Sequence, residues 1–394
     1  LPYIAAWHQA PVHDPRGGTS LDSRVSRMSV VYVHVGLPKT GTTHLQDRLW
    51  RNRDHALARA DLLYPGNRID DHFHAAAHLQ PERYLDWADP AHADVWPAMV
   101  AQMRAWHGSS LVSHELFANA GPDHIRRLVA DLDFADEIHL VLTVRDLARQ
   151  VPSVWQENVK NQRRATLPEF VESIRGGPGG SDQEPFWEFQ DYRRICADWA
   201  EVVGPERIHI VTVPAPGTQA PGDGLWERFV RTLGADPADL PESVPSSNSS
   251  LSAGQTELIR RLNRRLQPDD IEWRRYEGLV KGVLIGEHLF ATRDGAPAGL
   301  SGEQLAWAAR ASDDLVAAIV GCGYAVSGTV DDLRVAPGTG AAEGVAGATA
   351  EDALEAALDA IAQWAKTAPV PDNRPALKTR AANVVRRIRR RLKR

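Results

Sequence analysis

Residues 30–46, VVYVHVGLPKTGTTHLQ, join a run of β-branched apolar residues to a loop bracketed by glycines and then to an amphipathic stretch. The run to Gly36 reads as a buried strand, and the spacing beyond the loop predicts a helix over about 42–53. A strand that enters a glycine-rich loop and leaves as a helix is the usual frame of a phosphate cradle. The first amides of a helix have no partner inside it, and they attract anions. In a Walker-type loop, G-x-x-x-x-G-K-[ST], a lysine after the second glycine reaches the terminal phosphates. Gly36 and Gly41 have that separation and Thr43 fills the Ser/Thr position, but Thr42 stands where the lysine belongs. The only lysine is Lys39, inside the loop. The backbone from Lys39 to Thr43 can still hold a phosphate, but the cation fixed over a terminal phosphate is missing.

Further along, short apolar runs alternate with helical patterns. Strands are expected at 109–115 (SSLVSHE), 137–146 (EIHLVLTVRD) and 207–213 (RIHIVTV), with helices between them. The run at 137–146 is nearly continuous, as in a central parallel strand covered on both faces. Strand and helix in turn predict an α/β fold, a doubly wound parallel sheet flanked by helices. This core is expected over 29–245. Beyond Pro245 no further strand is read; 246–335 reads as a helical cap, 336–350 as a low-complexity linker, and 351–394 as one amphipathic helix followed by a basic tail.

Composition narrows the classes. Apolar content of 43% with 24% charged residues fits a soluble globular chain, and no apolar run is long enough to cross a bilayer. Two cysteines, Cys196 and Cys322, are too few for a disulfide framework and fit a reducing cytoplasm. Residues 1–28 lack the layout of a signal peptide; the natural start is expected at Met28, with the preceding residues an artefactual or disordered arm. The net charge is −6, yet residues 378–394 carry nine basic and no acidic residues, so the remainder is more acidic still. That excludes a general nucleic-acid binder and confines polyanion affinity to the tail. In the tail, Ala381, Val385, Ile388 and Leu392 fall on one stripe among arginines. Such a segment can lie on an anionic membrane as a peripheral contact, or remain a solvated tail.

The loop resembles the 5′-phosphosulfate loop of sulfotransferases that use 3′-phosphoadenosine 5′-phosphosulfate (PAPS), in their bacterial form. Pro38, Lys39, Thr40, Gly41, Thr42 and Thr43 match that signature, P-K-[ST]-G-T-[TS], at every position. The resemblance implies a P-loop-like sheet, with Lys39 beside the bridge between phosphate and sulfate and the threonines on the 5′-phosphate. A cation aimed there stabilises the charge that gathers on the departing phosphate. The family also binds the cofactor's 3′-phosphate with an Arg at the end of a later strand and a Ser about eight residues on. Arg145 and Ser153 stand in those places. The resemblance covers roughly residues 30–234.

The family's base follows the strand between the two cofactor motifs, as a histidine in some members and a glutamate in others. His114 and Glu115 both fall there; His114 is favoured and Glu115 close behind. Departures exist as well. His44 occupies the place of the adenine-stacking tryptophan of cytosolic members, and the C-terminal R-K-G motif has only weak counterparts in Arg274, Arg275 and Lys281. The stretch DHFHAAAH, 71–78, brings three histidines near an aspartate, but the family needs no metal and none is expected. Trp155, Trp187, Trp199 and Trp226 read as core. The expected activity is sulfuryl transfer from PAPS to a small-molecule, glycan or lipid acceptor. The alternatives are an ATP/Mg²⁺-dependent kinase, with Asp146 on the metal, and a catalytically inactive, membrane-associated nucleotide-binding protein.

Overall fold

A computed structural model describes residues 28–84, 87–177, 185–215, 217, 219–244, 250–292, 295–335 and 348–367. Its centre is a six-stranded, all-parallel sheet in the order β2-β3-β1-β4-β5-β6. The strands are β1 (Val30–Gly36), β2 (Leu62–Leu63), β3 (Ser109–Ser113), β4 (Glu137–Val144), β5 (Ile208–Thr212) and β6 (Ala325–Ser327). The fold is therefore α/β, doubly wound and P-loop-like.

Thirteen α-helices surround the sheet among the described residues. They are α1 (Thr42–Arg59), α2 (Asp71–Leu79), α3 (Val95–Ala105), α4 (Pro122–Asp131), α5 (Leu147–Lys160), α6 (Leu167–Ile174) and α7 (Phe186–Gln190). They continue with α8 (Tyr192–Val203), α9 (Leu225–Thr232), α10 (Ala253–Asn263), α11 (Trp273–Tyr276), α12 (Gly302–Ile319) and α13 (Ala350–Thr367). α11 runs on as a π-helix, Glu277–Leu289.

Alternation along β1 divides the core. Val31, Val33 and Val35 face a large apolar layer built with α4, α5 and α8. Tyr32 faces a smaller one made by Leu45 and Leu49 of α1 and by Trp226, Phe229 and Val230 of α9. The larger layer also takes in Leu251, Ile259, Tyr276, Trp307 and Leu315, so helices beyond residue 245 pack into the core of the sheet.

The expected strands are present with trimmed ends, and the first helix runs six residues further than expected, to Arg59. One expectation is corrected. Strands do not stop at Pro245, because β6 pairs in parallel with β5 through Ala325, Val326 and Ser327. A three-residue strand at an edge, with Ala325 and Val326 exposed, has too little alternation to stand out in sequence. The expectations for all but Met28 of the N-terminal arm, for most of the 336–350 linker and for the basic tail fall outside the described residues.

Register brings the carboxyl ends of the central strands to one rim. His34 pairs with Ser113, and Gly36 pairs with Thr143. Leu37, His114 and Arg145 therefore leave the sheet side by side. From β1 the chain turns toward β2, whereas from β4 it turns toward β5, so a crevice opens between β1 and β4. Ligands of open α/β sheets bind at such a reversal.

Candidate active site

The loop after β1 is tight because its backbone leaves no room for other side chains. A Cβ on Gly36 would lie 1.9 Å from Thr42 Cγ2, so the strand end passes directly beneath the start of α1. Lys39 and Gly41 both adopt left-handed backbone, at φ 73° and 95°. For a lysine this is a strained conformation that its surroundings must hold.

Those surroundings are explicit. The Leu37 carbonyl accepts the Thr40 N–H at 3.2 Å and the Thr40 hydroxyl at 2.7 Å. The same hydroxyl lies 2.8 Å from Thr143 Oγ1 on β4. The Pro38 carbonyl takes the side-chain amides of Gln150 and Gln190. The Lys39 carbonyl takes Arg145 Nη1 at 3.3 Å. The carbonyls of Leu37, Pro38 and Lys39 are thus all engaged, the first within the loop and the other two by side chains of α5, α7 and Arg145. Gly41 is the helix cap, and among the described residues no side chain caps the amides at the start of α1. Such amides can take an anion.

The residues named from sequence do not all present their side chains. Thr40 and Thr42 are buried, so Thr40 braces the loop and Thr42 packs on Gly36, while Gly41, Thr43 and His44 are exposed. Pro38 contributes its carbonyl to the bracing. Arg145 and Ser153, eight residues apart, meet in space: Arg145 Nη1 donates to Ser153 Oγ at 3.2 Å and to the loop through Lys39. Ser153 in turn donates to the Arg149 carbonyl at 2.9 Å. Burial, and then neighbouring Arg149, lower the Arg145 pKa to about 10, and its Nε is buried without a partner. An orphan buried donor of that kind calls for an acceptor.

Asp146, the Mg²⁺ ligand of the kinase alternative, is already committed. Its carboxylate caps α5 through the Arg149 N–H and pairs with the Arg149 guanidinium, which reaches the carbonyls of Val213 and Pro214. It ties β4 to β5.

Two charged residues escaped the sequence reading. Lys39 Nζ lies 3.2 Å from Glu157 Oε2 on α5, and Lys160 lies 3.6 Å from the same oxygen. Burial would raise the Glu157 pKa, but the charges of Lys39, Lys160 and Lys281 outweigh it and hold the carboxyl at about 2. Burial presses Lys160 down to about 8 against the pull of Glu157. Lys281, on the π-helix, is buried and donates to Asn161 Oδ1 at 2.6 Å; Arg274 and Arg275 are exposed. The signal in sequence was the 153, 157, 160 spacing, which sets Ser153, Glu157 and Lys160 on one face of α5.

On the other side of β1, His114 begins where β3 ends. Its N–H donates to the His34 carbonyl, and its Nδ1 accepts the Leu116 N–H at 3.1 Å, capping a 3₁₀ turn, Glu115–Asn119. That bond uses the Nδ1 lone pair and places the ring hydrogen of neutral His114 on Nε2. Burial lowers its pKa below the ordinary histidine value. Glu115 follows as the half-buried first residue of the turn, and among the described residues no hydrogen bond or ion pair engages its carboxylate. Phe73 of α2 packs against His114 at 5.5 Å between ring centroids. The histidines of α2 are dispersed. His72 is held between the Pro65 carbonyl and the Ser113 N–H, His74 stacks on His92, and His78 meets the Asp89 carbonyl. Among the described residues no three His, Cys, Asp or Glu side chains converge on a metal site.

Trp155, Trp187, Trp199 and Trp226 are buried in the core. Among the described residues no helix is long and apolar enough to cross a membrane.

No protein-family model and no curated protein matches the chain. Among solved structures it is similar to a sulfotransferase from Alicyclobacillus acidocaldarius, at 16% identity and a TM-score of 0.33, over 65% of this chain and 97% of that one.

Proposed function

We propose that this chain is a sulfotransferase that moves a sulfuryl group from PAPS to a hydroxyl or amine of an acceptor. The observation that carries this reading is the pair of hydrogen bonds that Arg145 donates, to the Lys39 carbonyl of the loop and to the Ser153 hydroxyl. Two motifs 106 residues apart thus form one anion-binding wall at the β1/β4 crevice. The residues fit the donor. Gly41, Thr42 and Thr43 offer helix-start amides to a 5′-phosphosulfate, and Arg145 has an unmatched buried N–H for a 3′-phosphate.

PAPS bound there would supply an activated sulfuryl group. Lys39 would lend positive charge to the leaving phosphate oxygen, and it must first leave Glu157 to do so. The acceptor proton falls to one of two neighbours, His114 or Glu115. His114 Nδ1 is engaged by the backbone, so its Nε2–H is a donor in this tautomer, and Glu115 becomes the favoured base. The acceptor O–H or N–H bond breaks to that base as its heteroatom bonds to sulfur.

The kinase reading lacks its acid, since Asp146 is spent on α5 and Arg149. Calorimetry with 3′-phosphoadenosine 5′-phosphate and with ATP–Mg²⁺ separates the two. The bisphosphate is expected to bind more tightly, and preference for ATP–Mg²⁺ would sink the proposal. Lys39→Ala should lower transfer by about 10²–10³-fold with the fold intact, whereas undiminished transfer would remove Lys39 from the mechanism. The inactive alternative predicts binding without transfer to any acceptor.

A further inference from the structure

α13 has one face packed and another bare. Ala353, Ala356 and Ala360 are buried, and the helix runs against α10 so closely that a Cβ on Gly254 would lie 2.8 Å from the Asp352 carbonyl. The outer face carries Leu354, Leu358, Ile361 and Trp364, which are 49–59% exposed. Scattered exposed leucines need no explanation, but four large apolar residues in three turns of one helix do.

Charge and spacing select the occupant. α13 carries Glu351, Asp352, Glu355 and Asp359 against one Lys366, and all five are exposed. An acidic helix is repelled by an anionic membrane and suits a basic partner. Beyond Thr367 the chain supplies one. Residues 381–392 hold Ala381, Val385, Ile388 and Leu392 among five arginines and no acidic residue. Their 4-3-4 spacing repeats that of Leu354, Leu358, Ile361 and Ala365 in α13. Run in opposite directions, the two series set Leu354 beside Leu392, Leu358 beside Ile388 and Ile361 beside Val385. Such 4-3-4 seams are how two helices interlock. The sequence between, residues 368–380, holds prolines at 369, 371 and 375, which disfavour one continuous helix, and its length allows about 40 Å of span, ample for a reversal.

We propose that the outer face of α13 is the docking site of the chain's own basic segment 381–392, held antiparallel by apolar contacts and by arginines facing Glu351, Glu355 and Asp359. The polybasic surface then serves as an internal counterpart to an acidic helix, and a membrane contact through residues 378–394 would compete with it.

The test uses the full chain, with Cys322→Ser to remove the exposed thiol, and pairs Leu358→Cys with Ile388→Cys. Copper phenanthroline as oxidant is expected to give a disulfide within one chain, seen as a shifted monomer on non-reducing gels. Adding Glu351→Lys, Glu355→Lys and Asp359→Lys should slow its formation about fivefold. Hydrogen exchange in the otherwise unaltered chain should show protection at 381–392 that Leu358→Glu with Ile361→Glu abolishes. Those two residues are exposed, so the substitutions leave the core untouched. A disulfide-linked dimer in place of the monomer overturns the proposal in favour of a second copy. Sedimentation with phosphatidylglycerol vesicles that Leu358→Glu removes, with no intramolecular bond, overturns it in favour of a membrane. Absence of every such signal overturns it as well.

Discussion

Lys39 meets its electrostatic match in Glu157 before any ligand arrives. Three lysines around one carboxylate leave a surplus of positive charge, and part of Lys39's charge is spent on an internal anion. Replacing Glu157 with Gln keeps the shape and removes that competition. Glu157→Gln should destabilise the free protein by about 1 kcal/mol, since lysines lose their partner at a half-exposed site. It should also tighten binding of 3′-phosphoadenosine 5′-phosphate, measured by calorimetry, by about tenfold. Unchanged or weaker binding would mean that Glu157 positions Lys39 rather than competing for it. The base is settled by a similar pair of changes. Glu115→Gln should lower kcat by at least about 10²-fold, while His114→Asn, which keeps an acceptor for the Leu116 N–H, should cost less. With His114 as the base instead, its burial would carry the acid limb of kcat/KM below the ordinary histidine range, and His114→Asn would remove that limb.

At the scale of elements, the site depends on how closely β1 passes under α1. Gly36→Ala places a methyl 1.9 Å from Thr42 Cγ2 and should push the first turn of α1 off the loop, at a cost of about 1–3 kcal/mol and most of the bisphosphate affinity. Thr42→Ser removes the offending methyl and should recover part of both losses, because the next contact, His34 Nε2 at 3.0 Å, remains. A double-mutant cycle on urea midpoints checks this, and strictly additive effects would show that the clash is relieved elsewhere. The same elements show what was legible in sequence. Strand, loop and helix around Gly36 and Gly41 were readable because glycine spacing and β-branched runs are local signals. Arg145 with Ser153 was readable through the resemblance, which expects an Arg at a strand end and a Ser about eight residues on, and the two meet in a hydrogen bond. Glu157 and Lys160 were not placed, since their spacing only sets them on one face of a helix, and what makes them matter is a meeting with Lys39 across more than a hundred residues. The commitment of His114 Nδ1 to a backbone amide is likewise a matter of turn geometry. β6 was missed because an edge of three residues buries too little to leave a period.

Across the whole molecule, stability should carry the signature of histidines folded in neutral form beneath the site. His34 is fully buried between Ser113 and Thr143, and burial, with the neighbouring charge of His114, lowers its pKa to about 3. His72 is held at about 3 by burial first and His114 second. In the unfolded chain both take up protons near the ordinary value of about 6.5. Below that pH the unfolded state binds more protons than the folded state, so stability is lost as pH falls, from about 6.5 toward 3. Each of the two contributes a slope of up to about 1.4 kcal/mol per pH unit. Carboxylates such as Glu157 add their own loss only at lower pH, because their unfolded values lie near 4.5. The window from pH 6.5 to 5 therefore isolates the histidines. Urea midpoints should fall only slightly from pH 8 to 7, where Lys160 completes its protonation, and then fall steadily to pH 5. His34→Gln should start lower at pH 7, having lost the bonds to Ser113 and Thr143, yet descend less steeply. If its slope between pH 6.5 and 5 equals that of the parent chain, His34 is not a neutral anchor, and the acid lability must arise from other groups, with His72 the first to replace.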